Sequence, residues 1–168
     1  MLLCFLGSLL AKTMKNKYFN IIVDTREQKP WDFNDGFNIT NAKLDTGDYS
    51  IEGLENLLCI ERKSSVNEVS NNITEKRFKD VLERMGNYQH RHMLFEFDLV
   101  DILNFPKNSG IPQRLWKNLR ITPLYLLKFI TEINTKYGVH THFCGNRNNA
   151  QALAVSIMKR VNEEHNRA

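Results

Sequence analysis

The sequence has few of the residues that define disulfide-rich or zinc-binding proteins. Its 168 residues include three cysteines, four prolines and eight glycines. Cys4, Cys59 and Cys144 are odd in number and lack Cys-x-x-Cys spacing, so they indicate neither a disulfide framework nor a zinc site. This usage is typical of the reducing cytoplasm, where we expect the protein to act.

Hydrophobic runs long enough to cross a membrane are also missing. The apolar stretch at the start of the chain is about half as long as a transmembrane helix. No lysine or arginine precedes Lys12 and no small-x-small cleavage site follows, so the stretch is a poor signal peptide. We interpret residues 1–13 as a disordered or loosely docked extension, residues 14–168 as a single domain, and expect no membrane partner.

The composition is that of an ordinary globular protein. Hydrophobic residues make up 42% and charged residues 25% of the chain, and the net charge is +4. A basic excess favours contact with nucleic-acid phosphates or anionic membranes and does not distinguish between them. Internal repeats, glycine-rich phosphate loops, Gly-x-Ser-x-Gly elbows and dinucleotide fingerprints are absent from the sequence.

The hydrophobic pattern predicts an α/β fold with a mixed central sheet flanked by helices. Strands are predicted at residues 19–24, 44–51, 57–63, 91–97 and 139–145. The second and third of these are expected to pair antiparallel, and the fourth to lie buried in the middle of the sheet. Helices are predicted at residues 72–86, 121–138 and 147–164, and residues 98–120 as a long loop.

Acidic residues stand at the ends of the first three strand segments. These carboxylates are Asp24, Glu27, Asp48 and Glu61. Because residues two apart on a strand share a face, Glu61 and Lys63 should project together while Arg62 points away. Antiparallel pairing would bring Asp48 within ligand distance of Glu61.

Two carboxylates that close repel one another unless a cation lies between them, and hard oxygen ligands suit Mg²⁺ or Mn²⁺. Such a cation lowers the pKa of a bound water and neutralises charge on a phosphate, while Lys63 orients or deprotonates the attacking water. The pattern therefore indicates phosphodiester hydrolysis. A Glu-x-Lys pair is also an ordinary feature of edge strands, so it is the combination with Asp48 that favours a site.

Three segments, "VDTREQKPW", "LDTGDYSIEG" and "IERKSS", together resemble the nuclease domain of the XPF family of structure-specific DNA endonucleases. The resemblance implies a restriction-endonuclease-like fold for residues 14–168 and cleavage of branched, flapped or junction DNA in repair, recombination or replication. It further implies that Asp48 and Glu61 bind Mg²⁺ (or Mn²⁺), with Lys63 beside the attacking water. Asp24 and Glu27 would complete the acidic pocket, and Arg62 would support a phosphate or the structure of the pocket.

The chain departs from the family pattern at Asn67, where the family has an aspartate, and Glu68 follows directly. Either Glu68 replaces that acid or Asn67 caps the next helix, and we favour the cap. The tandem helix-hairpin-helix domain of many cellular members is also missing from the sequence. The chain is therefore similar to stand-alone phage or bacterial forms, which would act in the cytoplasm of the cell or phage host.

Basic and aromatic residues give candidate contacts to DNA. The residues chosen are Arg26, Lys76, Arg77, Arg84 and Trp116. Each lysine or arginine could instead belong to a solvated helix face, and Trp116 to the core. Two His-x-His pairs, at residues 90–92 and 140–142, are explained by strand alternation rather than by zinc.

Two other functions remain open from the sequence alone. The substitution at Asn67 is compatible with a non-catalytic DNA-binding or scaffold domain that keeps the nuclease fold. A general or restriction-type nuclease would use the same chemistry on a different substrate. Members of the family commonly pair through this domain, which leaves a homodimer open.

Overall fold

The computed structural model describes residues 19–33 and 36–167. The extension predicted for residues 1–13 lies outside the described residues. The strands are β1 (Ile21–Asp24), β2 (Ile39–Ala42), β3 (Tyr49–Ile51), β4 (Leu58–Lys63), β5 (His90–Phe95) and β6 (His140–Phe143). The helices are α1 (Val66–Asn72), α2 (Lys76–Met85), α3 (Leu99–Leu103), α4 (Pro123–Thr135) and α5 (Arg147–His165), with a 3-10 helix at Gln113–Asn118.

The strands form one mixed sheet in the order β2-β1-β3-β4-β5-β6. β1 pairs antiparallel with β3, and β3 antiparallel with β4, which confirms the predicted pairing of these two segments. The remaining pairs, β1 with β2, β4 with β5 and β5 with β6, are parallel. The mixed sheet with flanking helices is the fold that the sequence predicts.

Alternation along β4 divides its side chains between two apolar layers. Cys59 belongs to a layer with buried residues from α1 to α4, whereas Leu58 and Ile60 belong to a layer with α5. The sheet is therefore covered by helices on both faces. Each large side chain buried in this way contributes about 1.5–3 kcal/mol to folding.

The apolar sequence of β5 predicted a place in the middle of the sheet. In the structure β5 lies instead next to the edge strand β6. Its residues Met93, Leu94 and Phe95 are nevertheless fully buried, because one helical layer covers Met93 and Phe95 and the other covers Leu94. A continuously apolar strand sequence indicates that both faces of the strand are covered, but it does not indicate the position of the strand in the sheet.

Residues 98–120 are not the long loop predicted for them. They contain α3 and the 3-10 helix, and Ile102 and Phe105 are buried against the layer of α1, α2 and α4. A loop was predicted because Pro106, Gly110 and Pro112 lie in this segment. Ile102 lies in α3, a helix of five residues, which is too short to show a helical periodicity in the sequence.

The first turn of α1 also corrects a prediction. Asn67 does not cap this helix; Ser65 does, because its side chain accepts a hydrogen bond from the backbone of Glu68 at 3.2 Å. The helix begins two residues earlier than the Asn67 cap required. The longer helices α4 and α5 begin as predicted, with Thr122 before Pro123 and with Asn146 as N-caps.

Candidate active site

The hairpin of β3 and β4 brings Asp48 to Glu61. Tyr49 pairs with Ile60, and the backbone N–H of Asp48 donates to the carbonyl of Ile60 at 2.8 Å. One step further along this antiparallel register, Asp48 stands opposite Glu61, and opposed residues project from the same face of a sheet. The two carboxylates predicted to share a pocket therefore line the same clefts.

Glycine is required immediately before Asp48. Gly47 has a φ of +87°, and a Cβ at this position would lie 2.6 Å from Cys59 Sγ and 3.0 Å from the Ile60 carbonyl oxygen. Any larger residue would combine left-handed backbone strain with a collision against β4. The Gly-Asp dipeptide is thus explained by the close packing that places Asp48 beside β4.

The electrostatics of Asp48 fit a cation site. Burial and the neighbouring charge of Glu61 raise the pKa of Asp48 well above its usual range, although its Oδ2 accepts a hydrogen bond from the backbone of Arg62 at 2.7 Å. A divalent cation would relieve this repulsion. The donors are carboxylate oxygens, so the chemistry of the pair fits Mg²⁺ or Mn²⁺.

Lys63 is 5% exposed and is held by two carboxylates. Its Nζ lies 2.9 Å from Glu61 Oε1 and 3.3 Å from Glu68 Oε1, and 4.6 Å from the ring centroid of Phe78. Burial opposes its charge, but the two carboxylates raise the pKa of Lys63 above its ordinary value. Lys63 is therefore an ammonium group, which favours the orienting role over deprotonation of a water.

Arg62 points to the opposite face of the sheet, as strand alternation predicts. Its Nε and Nη2 donate to Glu96 at 2.6 and 3.0 Å, and its Nη1 donates to Glu27 at 3.4 Å. Glu96 also accepts a hydrogen bond from Trp31 Nε1 at 2.6 Å. Of its two predicted roles, these contacts favour support of the pocket's structure.

Asp24, which is 2% exposed, and Glu27 are both bound by protein donors. Asp24 accepts hydrogen bonds from Arg26 and from the backbone of Leu44. Burial alone would raise the pKa of Asp24, but these hydrogen bonds hold it below its usual value. Glu27 accepts from the Lys29 backbone at 2.6 Å and from Arg62.

Two neighbouring clefts open at this end of the sheet. The arginine cleft, about 230 Å³, is lined by Asp24, Arg26, Asp45, Thr46, Gly47, Asp48, Glu61, Arg77, Val81 and Arg84. The glutamate cleft, about 240 Å³, is lined by Arg26, Glu27, Gln28, Lys29, Asp48, Glu61, Arg62 and Glu68. Asp48 and Glu61 line both clefts, so a group bound between these two carboxylates would be reached from either side.

The structure separates the candidate DNA contacts into two groups. Arg26, Arg77 and Arg84 line the arginine cleft, where Arg84 also donates to Thr46 Oγ1 at 2.9 Å. Lys76 is exposed on α2 and lines neither cleft. Trp116 also lines neither; it is half-buried in the 3-10 helix, with Nε1 donating to the Ile111 carbonyl at 2.9 Å.

The histidine pairs meet across β5 and β6. His92 Nδ1 lies 3.1 Å from His142 Nε2, and the ring centroids of His92 and His140 are 5.4 Å apart. Within residues 19–33 and 36–167, no group of three or more His, Cys, Asp or Glu side chains is arranged to hold a metal ion. The candidate cation site consists of the two carboxylates Asp48 and Glu61.

Sequence reasoning missed Glu96, which joins four segments at the back of the site. It binds Arg62 and Trp31, and Arg147 Nη1 at the start of α5 lies 3.7 Å from its Oε1. The signal was an acid directly after the buried strand β5. Its partners lie far away in sequence, so only the folded chain brings these groups together.

No helix within the described residues is long and apolar enough to span a membrane. The mixed six-stranded sheet with helices on both faces is a restriction-endonuclease-like fold, and its central strands carry two carboxylates and a lysine at one end. A family model described as "ERCC4 domain" matches residues 23–157. The chain belongs to this family, which confirms the predicted resemblance to XPF nuclease domains.

Solved structures show the same fold. "XPF from Aeropyrum pernix" is 17% identical, with a TM-score of 0.62, and the match covers 86% of this chain and 65% of that chain. "XPF from Aeropyrum pernix, complex with DNA" is 16% identical, with a TM-score of 0.61, and the match covers 87% of this chain and 66% of that one. The chain thus spans about two thirds of the length of these structures. No curated protein matches the sequence significantly.

Proposed function

We propose that the protein is a divalent-metal-dependent endonuclease that hydrolyses phosphodiester bonds in branched, flapped or junction DNA. Membership of the ERCC4-domain family supports nuclease activity. The observation that carries the proposal is the meeting of Asp48 and Glu61 across β3 and β4, with the Lys63 ammonium 2.9 Å from Glu61. Two acids and a lysine in this arrangement supply the groups that phosphodiester hydrolysis with a bound cation needs.

Asp48 and Glu61 would hold the cation, Mg²⁺ or Mn²⁺. When bound, such a cation lowers the pKa of a water and neutralises charge on the phosphate. Lys63 would donate a hydrogen bond to the attacking water or to a phosphate oxygen and so fix its direction. Arg62 and Glu96 would hold β4 in register from the opposite face, because their bidentate ion pair is almost fully buried.

The arginine cleft would bind the DNA backbone. Arg26, Arg77 and Arg84 place three guanidinium groups around Asp48 and Glu61. Guanidinium groups neutralise phosphates, and backbone contacts position DNA without reading its sequence. Recognition of the phosphate path would suit an enzyme that selects DNA by shape, as one acting on forks or flaps must.

Cleavage assays test this proposal. Flap, fork, four-way junction and plain duplex DNA would be incubated with the protein and Mg²⁺ or Mn²⁺. We expect cleavage of at least one branched substrate in preference to the duplex, and loss of cleavage in Asp48→Asn and Glu61→Gln. Glu52→Gln is the matched control, because Glu52 is an exposed acid at the other end of the same hairpin.

Retained cleavage by Asp48→Asn would contradict the assignment of the site. Binding of DNA without cleavage, together with no Mn²⁺ binding in calorimetry, would instead support the non-catalytic scaffold function, with which Asn67 is compatible. Equal cleavage of duplex and branched DNA would support a general or restriction-type nuclease.

A further inference from the structure

Glu68 has no counterpart in the family pattern, which places its last acid at the position of Asn67. We infer that Glu68 is the positioning residue for Lys63: it fixes the ammonium group beside Glu61 and so sets the direction in which Lys63 donates. This inference rests on the proposed function. It assigns a role to a residue outside the signature and makes the departure at Asn67 compatible with catalysis.

The two oxygens of the Glu68 carboxylate have different partners. Oε1 lies 3.3 Å from Lys63 Nζ. Oε2 accepts hydrogen bonds from the backbone N–H and from the hydroxyl of Ser64, both at 2.9 Å. One oxygen thus anchors the carboxylate to the end of β4, and the other is directed at the ammonium group.

The start of α1 fixes the backbone that carries Glu68. Ser65 caps the helix by accepting a hydrogen bond from the N–H of Glu68. An acid in the first turn of a helix is also favoured by the helix dipole. The Ser-x-x-Glu arrangement therefore holds the Glu68 side chain toward β4 and the glutamate cleft, which it lines.

Lys63 is confined from three sides as a result. Glu61 and Glu68 contact its Nζ, and the ring of Phe78 lies beneath it. Without Glu68, Glu61 would be the one charged contact recorded for this ammonium among the described residues. A single contact leaves a long side chain free to rotate about it, whereas two contacts on different elements define one direction.

Glu68→Gln tests the inference, because glutamine keeps the shape and an oxygen for Ser64 but loses the charge facing Lys63. We expect the single-turnover cleavage rate to fall about tenfold, with the KM and the Kd for DNA changed by less than about twofold. Glu68→Asp, which keeps the charge, should restore part of the rate. Glu83→Gln, an exposed charge loss on the neighbouring helix α2, should have the wild-type rate.

A second measurement does not depend on activity. Because Lys63 Nζ lies 4.6 Å from the centroid of the Phe78 ring, the ring should shift the NMR signals of the Lys63 side chain near its ammonium group. We expect this ring-current shift to shrink in Glu68→Gln and to stay unchanged in Glu83→Gln. If the wild type cleaves no substrate, the proposed function fails while the NMR signals still decide the role of Glu68. Unchanged Lys63 signals in Glu68→Gln would overturn the inference.

The family position provides a further variant. Asn67→Asp, added to Glu68→Gln, places the acid where the family has it. We expect no recovery of the rate, because the contacts to Lys63 come from position 68. Recovery in the double variant would assign the role to position 67 and overturn the inference.

Discussion

At Asp48, folding disfavours the charged form of the carboxyl group. It lies beside Glu61 and is held by the backbone of Arg62, and its pKa is raised by burial and by the like charge. Above the ordinary value of 3.8, the folded protein therefore binds more protons at this carboxyl than the unfolded chain does. Stability without a cation should therefore fall as the pH rises from 3.8 through the raised pKa of Asp48.

Asp48→Asn should accordingly raise the melting temperature at pH 8 in the absence of divalent cations. Asparagine removes the repulsion and can still accept the hydrogen bond from Arg62. In a protein of this size, each kcal/mol gained in the free energy of unfolding raises the melting temperature by about 2–4 °C. Thermal unfolding followed by circular dichroism, with EDTA and then with Mg²⁺ or Mn²⁺, measures both effects.

Addition of the cation should raise the melting temperature of the wild type and leave that of Asp48→Asn unchanged, because a ligand stabilises only the state that binds it. Glu52→Gln should respond to the cation as the wild type does. A cation-induced increase of the same size in Asp48→Asn would place the cation elsewhere.

At the scale of elements, β5 and β6 bring the half-buried imidazoles of His92 and His142 together at the edge of the sheet. Burial, with the charges of His142, His140 and His90 adding to it, lowers the pKa of His92 from 6.5 to about 3. Burial and His140 also lower the pKa of His142. These rings are therefore neutral in the native protein at pH values where the unfolded chain has already taken up protons.

Acidification should destabilise the protein through His92. Between pH 6.5 and about 3 the unfolded chain binds more protons than the native state, so stability is lost as the pH falls, by at most about 4–5 kcal/mol from this residue. His92→Gln should flatten this dependence. Urea unfolding at pH 7 and pH 4 measures it.

Gln89→Ala, a change directly before β5 that removes no ionisable group, should keep the wild-type dependence on pH. If His92→Gln loses as much stability as the wild type between pH 7 and pH 4, the imidazole group does not cause the effect.

The parts of this fold that depend on local pattern could be predicted, and the parts that depend on distant partners could not. Alternation in β4 was enough to send Glu61 and Lys63 to one face and Arg62 to the other. The parallel pairing of β2 with β1 and the contact of Glu96 with Trp31 each join separate segments of the chain, and no local pattern indicates which segments will meet. Asn67 was misread because two good capping residues, Ser65 and Asn67, lie within one turn.

For the whole molecule, the distribution of charge over the surface should influence DNA binding more than the net charge does. The net charge of +4 is modest, yet Arg26, Arg77 and Arg84 are gathered around the acid pair while the exposed polar face of α5 carries paired charges such as Arg160 with Glu164. Phosphates would be attracted to one end of the sheet. Affinity for DNA should therefore depend on salt through residues of the arginine cleft.

Arg77→Gln should weaken DNA binding at low salt and reduce the slope of log K against log salt concentration by about one, the value for one lost phosphate contact. Fluorescence anisotropy with labelled fork DNA in EDTA measures this without cleavage. Arg160→Gln removes an equal charge from the opposite layer and should leave the slope unchanged. Equal slopes in all three proteins would exclude the arginine cleft as the DNA surface.

The connection between β3 and β4 lies at the end of the hairpin away from Asp48 and Glu61. The register of Tyr49 with Ile60 sets the distance between the two acids, whereas Gly53 in the connection is exposed, with open space where a side chain would be. Residues added there would lengthen a surface loop without moving either carboxylate. The turn is thus a place where evolution can vary the chain, or where an experimenter can attach a label, without contacting either carboxylate.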